Sequence, residues 1–222
     1  LLAGYFSEYF GDELGGPSGP YWIGWIAVGS CTFLGLAEDL RNNYLNPRFR
    51  LYAQLGIFAV TIGVWPLLIP TDFGVPILDG LMRLPLIGWL LSVIFCVGFV
   101  NSINMADGAN GLIAGVITIA FSLFYANTGQ FVYAAMMTAC AVFTIFNVIS
   151  GRLFLGDAGA YGLGSSIVIS SLYLFQENIF SAAFLACLFS YPCIDFMMTL
   201  ARRLRAGRSI YLPDNDHLHN RI

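Results

Sequence analysis

Residues 86–112 read LIGWLLSVIFCVGFVNSINMADGANGL, an uncharged apolar run that passes directly into a polar, glycine-bearing island. The run has the composition of a membrane-spanning helix. In the island, Asn101, Asn104 and Asp107 recur at every third position. On a helix that spacing keeps three side chains within about a third of the circumference, so they are expected to face one ligand together. Gly108 and Gly111 remove side chains where backbone can approach a bulky polar group, and both are costly inside an ordinary helix. The competing reading is a turn in which Asn and Gly serve only as caps. A turn, however, does not require amides and carboxylates in helical phase.

The rest of the chain repeats the pattern of apolar run and polar junction. Of 222 residues 58% are hydrophobic and 10% charged, and the mean hydropathy is +0.74. These values describe an all-α, polytopic transmembrane bundle and exclude an ordinary soluble domain, despite a net charge of -3. The five cysteines, Cys31, Cys96, Cys140, Cys187 and Cys193, have neither metal-ligand nor redox spacing and read as small apolar residues. The chain starts at Leu1 without an initiator Met and stops at Ile222 just after a histidine pair, so it reads as a fragment.

Residues 1–20 read as the tail of an earlier span and a Gly/Pro-rich loop. About seven spans are predicted beyond them, at 21–37, 51–70, 86–100, 112–126, 131–149, 161–175 and 179–200. All ten basic residues are Arg, and only Arg83 falls on the side opposite the other nine. The positive-inside bias therefore puts 38–50, 101–111, 150–160 and 201–222 in the cytoplasm, and 1–20, 71–85, 127–130 and 176–178 outside. Every motif-like polar cluster falls on the cytoplasmic side.

Four clusters deserve chemistry. Glu38 and Asp39 close the first span; a charge at the bilayer centre costs about 2.5–3.5 kcal/mol, so this pair belongs at the water boundary or on a polar cavity. Arg48, Arg50 and Gln54 downstream read as interfacial anchors. The central island follows the 71–85 loop, where Asp72, Asp79 and Arg83 read as solvated. Asp157, between Gly156 and Gly159, is expected to stand exposed on a tight turn, whereas Gly162 and Gly164 read as helix-packing residues. Pro192 and Asp195 imply a kink in the last span, with Asp195 paired to an Arg of the following run. That run leads to His217 and His219, the only histidines, and to Arg221. A His-x-His pair suits metal or phosphate contact, although two ligands do not make a zinc site.

Carboxylates on three junctions, amides beside them and a basic arm make a divalent-cation site with a phosphate partner. Mg²⁺ prefers a few carboxylate oxygens, with water and substrate phosphate completing its shell. Two phosphoanions about 4 Å apart repel by about 4 kcal/mol per unit charge pair at intermediate dielectric, which a cation and arginine offset.

In order and spacing, Gly35-Leu36-Ala37-Glu38-Asp39, the Asn-x-x-Asn-x-x-Asp-Gly-x-x-Gly-Leu of 101–112, Phe154-Leu155-Gly156-Asp157-x-Gly159 and Pro213-Asp214-x-x-His217-x-His219 are similar to one enzyme family. The chain resembles the polyprenyl-phosphate N-acetylhexosamine-1-phosphate transferases, most closely the bacterial undecaprenyl-phosphate N-acetylglucosamine-1-phosphate transferases, and more distantly phospho-N-acetylmuramoyl-pentapeptide transferase. The resemblance covers about residues 24–222. It implies an enzyme of ten or eleven spans that moves a sugar 1-phosphate from a UDP-sugar to undecaprenyl phosphate, releasing UMP, at the cytoplasmic face of a bacterial inner membrane. It would thereby initiate a lipid-linked cell-surface glycan such as O-antigen or teichoic acid. Residues 1–222 would be one integral-membrane catalytic domain truncated at both ends, lacking the first two spans and the last.

The resemblance also implies roles. Asp157, with Asp107, would ligate Mg²⁺, with Mn²⁺ as the alternative. Glu38 and Asp39 would hold or deprotonate the lipid phosphate. Asn104 and Asp107 would belong to the nucleotide-side wall, Asn101 and Asn110 would also bind substrate, and His217, His219 and Arg221 would contact the diphosphate or sugar. The partners are then UDP-sugar, undecaprenyl phosphate and the bilayer, without nucleic acid and with a homodimer as a compatible assembly. The sequence departs from the family pattern at Glu38, where Asp is usual, and at Asn110, where a second Asp is often found. Asn110, one helical turn beyond Asp107, is therefore expected to influence the choice of sugar. N-acetylglucosamine leads, with N-acetylfucosamine or N-acetylquinovosamine as alternatives. A secondary transporter would also carry acids and Gly-broken helices, but nearer mid-membrane; a non-catalytic membrane scaffold would have little reason to keep all four clusters.

Overall fold

The computed structural model describes residues 21–41, 45–108, 110–151 and 153–205. His217, His219 and Arg221, with the rest of 206–222 and all of 1–20, lie outside the described residues.

Helices follow each other in short steps: α1 (Tyr21–Arg41), α2 (Pro47–Val64), α3 (Pro76–Met82), α4 (Pro85–Ala106), α5 (Leu112–Thr128), α6 (Phe131–Ser150), α7 (Gly156–Gln176), α8 (Ala182–Leu188) and α9 (Ser190–Arg205). No strand is present among the described residues. Local chemistry sets many ends. Asn46 caps α2 by accepting the Arg48 N–H at 3.0 Å, and Pro47 takes the first helical position, where a missing N–H costs nothing. At the far end, Pro66 cannot continue the helix, and the chain passes Trp65 into a 3-10 turn, Pro66–Leu68. The 71–85 segment is more ordered than a solvated loop: α3 lies in it, and the Asp79 carboxylate accepts the Phe73 N–H at 2.7 Å.

Among the described residues four helices are long and apolar enough to cross a membrane, α1, α4, α6 and α7, and α8 with α9 makes a fifth if the pair counts as one span. The expected count of about seven is therefore too high. Three segments account for the difference. In place of the second predicted span, 51–70, stands α2, which begins at Pro47, carries Arg48 and Arg50 in its first turn and ends at Val64. The α5 helix has only 17 residues. The last predicted span is broken, α8 and α9 meeting at 73°. Pro192 explains the break, because its ring excludes the carbonyl four residues earlier, and α8 stops at that residue, Leu188.

The centre of the bundle is α7, which packs against α1 and α4, while α5 pairs with α6 and α2 and α9 lean on α4. In α7, 72% of the span is buried, against 17% in α6. The outward faces of α6 expose Ile145, Phe146, Val148 and Ile149, the side chains expected to meet lipid. Small residues allow the central contact. A Cβ on Gly162 would lie 2.4 Å from Thr32 Oγ1 of α1, and one on Gly164 would touch Val100 and Ile103 of α4, as the sequence reading of these glycines expected.

Candidate functional site

One end of the bundle gathers the C-terminal ends of α1, α4 and α6 and the N-terminal ends of α2 and α7. The other end is aromatic: the rings of Tyr21, Trp65 and Tyr173 lie 5.2–5.9 Å apart, and the Gln176 amide donates to the Ile69 carbonyl. A cavity of about 80 Å³ opens there, lined by Tyr21, Trp65, Tyr133 and Tyr173 among others, with no carboxylate in its wall. The junctions that carry the motif-like acids lie at the first end.

Its centre is Asp157, in the first turn of α7. The Arg50 guanidinium donates to Asp157 Oδ2 at 2.8 Å and lies 3.5 Å from Glu38 Oε1. It also acts on the Tyr161 hydroxyl, one turn into α7. Asn104, on α4, lies close enough to the Asp157 carboxylate to favour its ionised form. Glu38 is 5% exposed, and its Oε2 accepts the Leu45 N–H at 2.9 Å, drawing the residues just before α2 toward the site. Asp39 spends both oxygens on α7: Oδ1 accepts the Asp157 N–H at 3.0 Å and Oδ2 the Ala158 N–H at 2.9 Å. First-turn N–H groups have no partner within their own helix, and a carboxylate there also gains from the helix dipole.

A second polar rung lies beneath. The Asn101 amide donates to Gln54 Oε1 at 2.6 Å and to the Val97 carbonyl at 2.8 Å. Gln54, fully buried, is one turn beyond Arg50 on the same face of α2. The island's side chains thus divide. Asn104 turns toward Asp157 and Asn101 toward Gln54, rather than all converging on one point. Asp107 ends α4 as its C-cap, half-buried, and burial pushes its carboxyl up to about 6. The charges acting on Asp157 are Arg50, Asp39 and Glu38; the structure does not join Asp107 to that set.

Past Ala106 the island leaves the helix, so Asn110 is not one helical turn beyond Asp107. It sits exposed in a turn beside Gly151, where an added Cβ would meet Asn110 Nδ2 at 3.4 Å. Gly111, at φ +77°, occupies the left-handed region, and a Cβ there would fall 2.3 Å from Val148 Cγ2 of α6, so both backbone shape and neighbour demand glycine.

Sequence reading also misjudged some residues and overlooked others. Asp157 is half-buried and paired rather than exposed on a turn. Arg50 is the shared partner of Glu38 and Asp157 rather than an interfacial anchor; its signal was Gln54 four residues on, a second polar group at helical spacing within an apolar run. Asn147, 5% exposed, was overlooked: its Oδ1 accepts the Gly111 N–H and its Nδ2 donates to the Leu153 carbonyl. It ties the central island to the loop before α7, and an amide near the end of the otherwise apolar α6 was the available clue.

The donor set suits a hard cation. Asp157, Glu38 and the Asn104 amide supply oxygens, and a cationic group, Arg50, already lies between the two carboxylates. Among the described residues no three His, Cys, Asp or Glu side chains form a metal-holding group. That is compatible with Mg²⁺, which commonly takes only one or two carboxylates and completes its shell with water and substrate phosphate.

Comparison with known proteins places this arrangement among relatives. A family model described as "Glycosyl transferase family 4" matches residues 21–175. The chain is 29% identical over 192 residues to a protein of Bacillus subtilis (strain 168) named "Probable undecaprenyl-phosphate N-acetylglucosaminyl 1-phosphate transferase", covering 80% of this chain and 53% of the relative. It is 29% identical over 191 residues to the phospho-N-acetylmuramoyl-pentapeptide-transferase of Synechococcus sp. (strain JA-2-3B'a(2-13)), covering 78% and 55%. Against the undecaprenyl-phosphate alpha-N-acetylglucosaminyl 1-phosphate transferase of Escherichia coli (strain K12) the identity is 27% over 208 residues, covering 88% and 56%. The chain thus spans about half the length of the curated relatives it matches.

Proposed function

The chain belongs to glycosyl transferase family 4, and on that premise we propose that it transfers an N-acetylhexosamine 1-phosphate from a UDP-sugar to undecaprenyl phosphate. An oxygen of the lipid phosphate attacks the phosphorus that carries the sugar. The bond from that phosphorus to the bridging oxygen breaks, and UMP leaves with the electron pair. The observation that carries the reading is the meeting of Asp157, Arg50, Glu38 and Asn104 at one end of an apolar bundle. Carboxylates and a guanidinium at a membrane rim suit the joining of a lipid phosphate to a water-soluble diphosphate, whereas a transporter would carry its ionisable groups near mid-membrane.

In this reading Asp157 would hold Mg²⁺ or Mn²⁺, which would supply charge neutralisation on the diphosphate, while Asp107, outside the set that acts on Asp157, is left to the nucleotide side. Arg50 adds a fixed positive charge on the same side, and its fork suits phosphate oxygens. The Glu38–Asp39 end of α1 belongs to the lipid-phosphate side, and Asn104 to the nucleotide side. His217, His219 and Arg221 complete the diphosphate contact. The arginine bias puts this end in the cytoplasm of a bacterial inner membrane. The donor is UDP-N-acetylglucosamine, with N-acetylfucosamine or N-acetylquinovosamine as alternatives, and the product begins a lipid-linked surface glycan. Membranes containing the protein, given undecaprenyl phosphate, Mg²⁺ and a panel of UDP-sugars, are expected to release UMP. Asp157→Asn is expected to stop that release, because an amide is a poor hard-cation ligand. No UMP from any donor, or turnover within a few-fold of wild type in the variant, defeats the proposal.

A further inference from the structure

The first turn of α7 rests on α1 more closely than side-chain packing permits. A Cβ added to Gly35 would lie 2.3 Å from the Asp157 carbonyl oxygen and 2.5 Å from the Ala158 nitrogen, so backbone lies on backbone. One turn along α1, Asp39 receives the N–H groups of Asp157 and Ala158 at 3.0 and 2.9 Å. Gly156, at φ +67°, leaves the space those oxygens need, since a Cβ there would come within 2.7 Å of Asp39 Oδ2. Three contacts from α1 thus fix the peptide units of 156–158. The Asp157 side chain is left to reach Arg50 and Asn104.

We propose that Asp39 is a positioning residue acting through Asp157, fastening α7 to α1 so that the Asp157 carboxylate is presented to its partners, and that it is neither the base nor a ligand in the reaction. Both of its oxygens are committed to backbone N–H groups. A proton or a cation on either oxygen would draw electron density from an acceptor that an α7 N–H already uses and weaken that hydrogen bond. The role assigned to Asp157 rests on the proposed phosphotransferase reading; the fastening does not.

The test uses the full protein in detergent with Asp39→Asn and Gly35→Ala, following melting temperature, the Mg²⁺ concentration that gives half of the Mg²⁺-induced rise in melting temperature, turnover, and the pH–rate profile. Asparagine keeps one acceptor oxygen. Turnover is expected to fall roughly tenfold rather than vanish, the value of one weakened charge-assisted hydrogen bond. The limbs of the pH profile should stay in place. The Mg²⁺ half-point should rise several-fold, because affinity appears directly in the ligand-linked melting shift. Gly35→Ala, which leaves both acids intact, should reproduce the pattern. Abolished turnover or a missing pH limb in Asp39→Asn, with melting and Mg²⁺ half-point at wild-type values, overturns the proposal and makes Asp39 a reacting group. If wild type neither transfers nor responds to Mg²⁺, the proposed function fails, and the fastening is judged by melting alone. Both single variants must then melt lower, and the double variant no lower than the worse single, because they release one shared contact; additive losses overturn it.

Discussion

Replacing Arg50 with Gln keeps much of the aliphatic stem and removes the charge that Asp157 and Glu38 share. The two contacts, 2.8 and 3.5 Å, correspond to gross attractions of roughly 6 and 5 kcal/mol at an effective dielectric of 20. Most of that is offset by desolvation. The side chains of Arg50 and Asp157 are about one-fifth exposed and that of Glu38 only 6%, so Glu38 suffers most when the cation goes. Breaking a buried pair costs about 3–5 kcal/mol, and the partial exposure brings the expected loss here to about 2–3 kcal/mol. For a chain of this size that lowers the melting temperature by about 4–12 °C. Cys31, Cys96 and Cys140 are buried free thiols, Cys187 is exposed and Cys193 partly so, so a thiol-reactive dye reports unfolding as a rise above the baseline of Cys187 and Cys193. Adding Glu38→Gln to Arg50→Gln should recover part of the loss, because the uncompensated buried charge is gone. A melting temperature for Arg50→Gln within about 1 °C of wild type would refute the argument that this bridge holds α1, α2 and α7 together at the site.

Three further outcomes follow from the same contacts. Gly162→Val, whose Cβ would enter within 2.4 Å of Thr32 Oγ1, should separate α1 from α7 and cost more stability than Gly98→Val, where nothing lies within 4 Å; equal melting temperatures would contradict the central packing. Asn147→Ala should cost about 1–3 kcal/mol by leaving the Gly111 N–H and the Leu153 carbonyl without this partner, and should speed proteolysis in the 151–155 loop before it affects α6. In metal-free protein, Asp107 holds its proton to about 6 when folded, against 3.8 for the free side chain. The folded state then binds more protons between about pH 4 and 6, so its stability falls as pH rises through that window and the deficit persists above it. Asp107→Asn should therefore melt higher than wild type at pH 7.5 and match it near pH 4; the opposite order would show that the ionised Asp107 has a favourable partner.

Much of this was legible along the chain. Apolar runs without charge specify helices wherever they fall, because only a helix satisfies its own backbone in hydrocarbon, and the polar junctions between them had to lie at the bundle ends. Asn104 could be singled out by its helical phase with Asn101 and Asp107, and Asp157 because a carboxylate between glycines at a span end has little packing value. Helix ends at Pro47 and Pro66 and the break before Pro192 follow from proline itself, yet the size of that break, 73°, and the shortfall in spans depend on how the pieces pack.

What sequence alone determined is therefore the helical membrane class and the short list of acids and amides at one rim, since both are properties of local composition and phase. Which of those groups face one another was decided only by tertiary structure. Arg50 meets Asp157 across 107 positions and Asp39 meets it across 118, and helical phase says nothing about the rotation of one helix against another. That rotation is set by the close seating of α7 on Gly35, Thr32 and Val100. The same seating sends Asn101 to Gln54 and Asn104 to Asp157, and turns Asp39 from a free carboxylate into one with both oxygens on the α7 backbone.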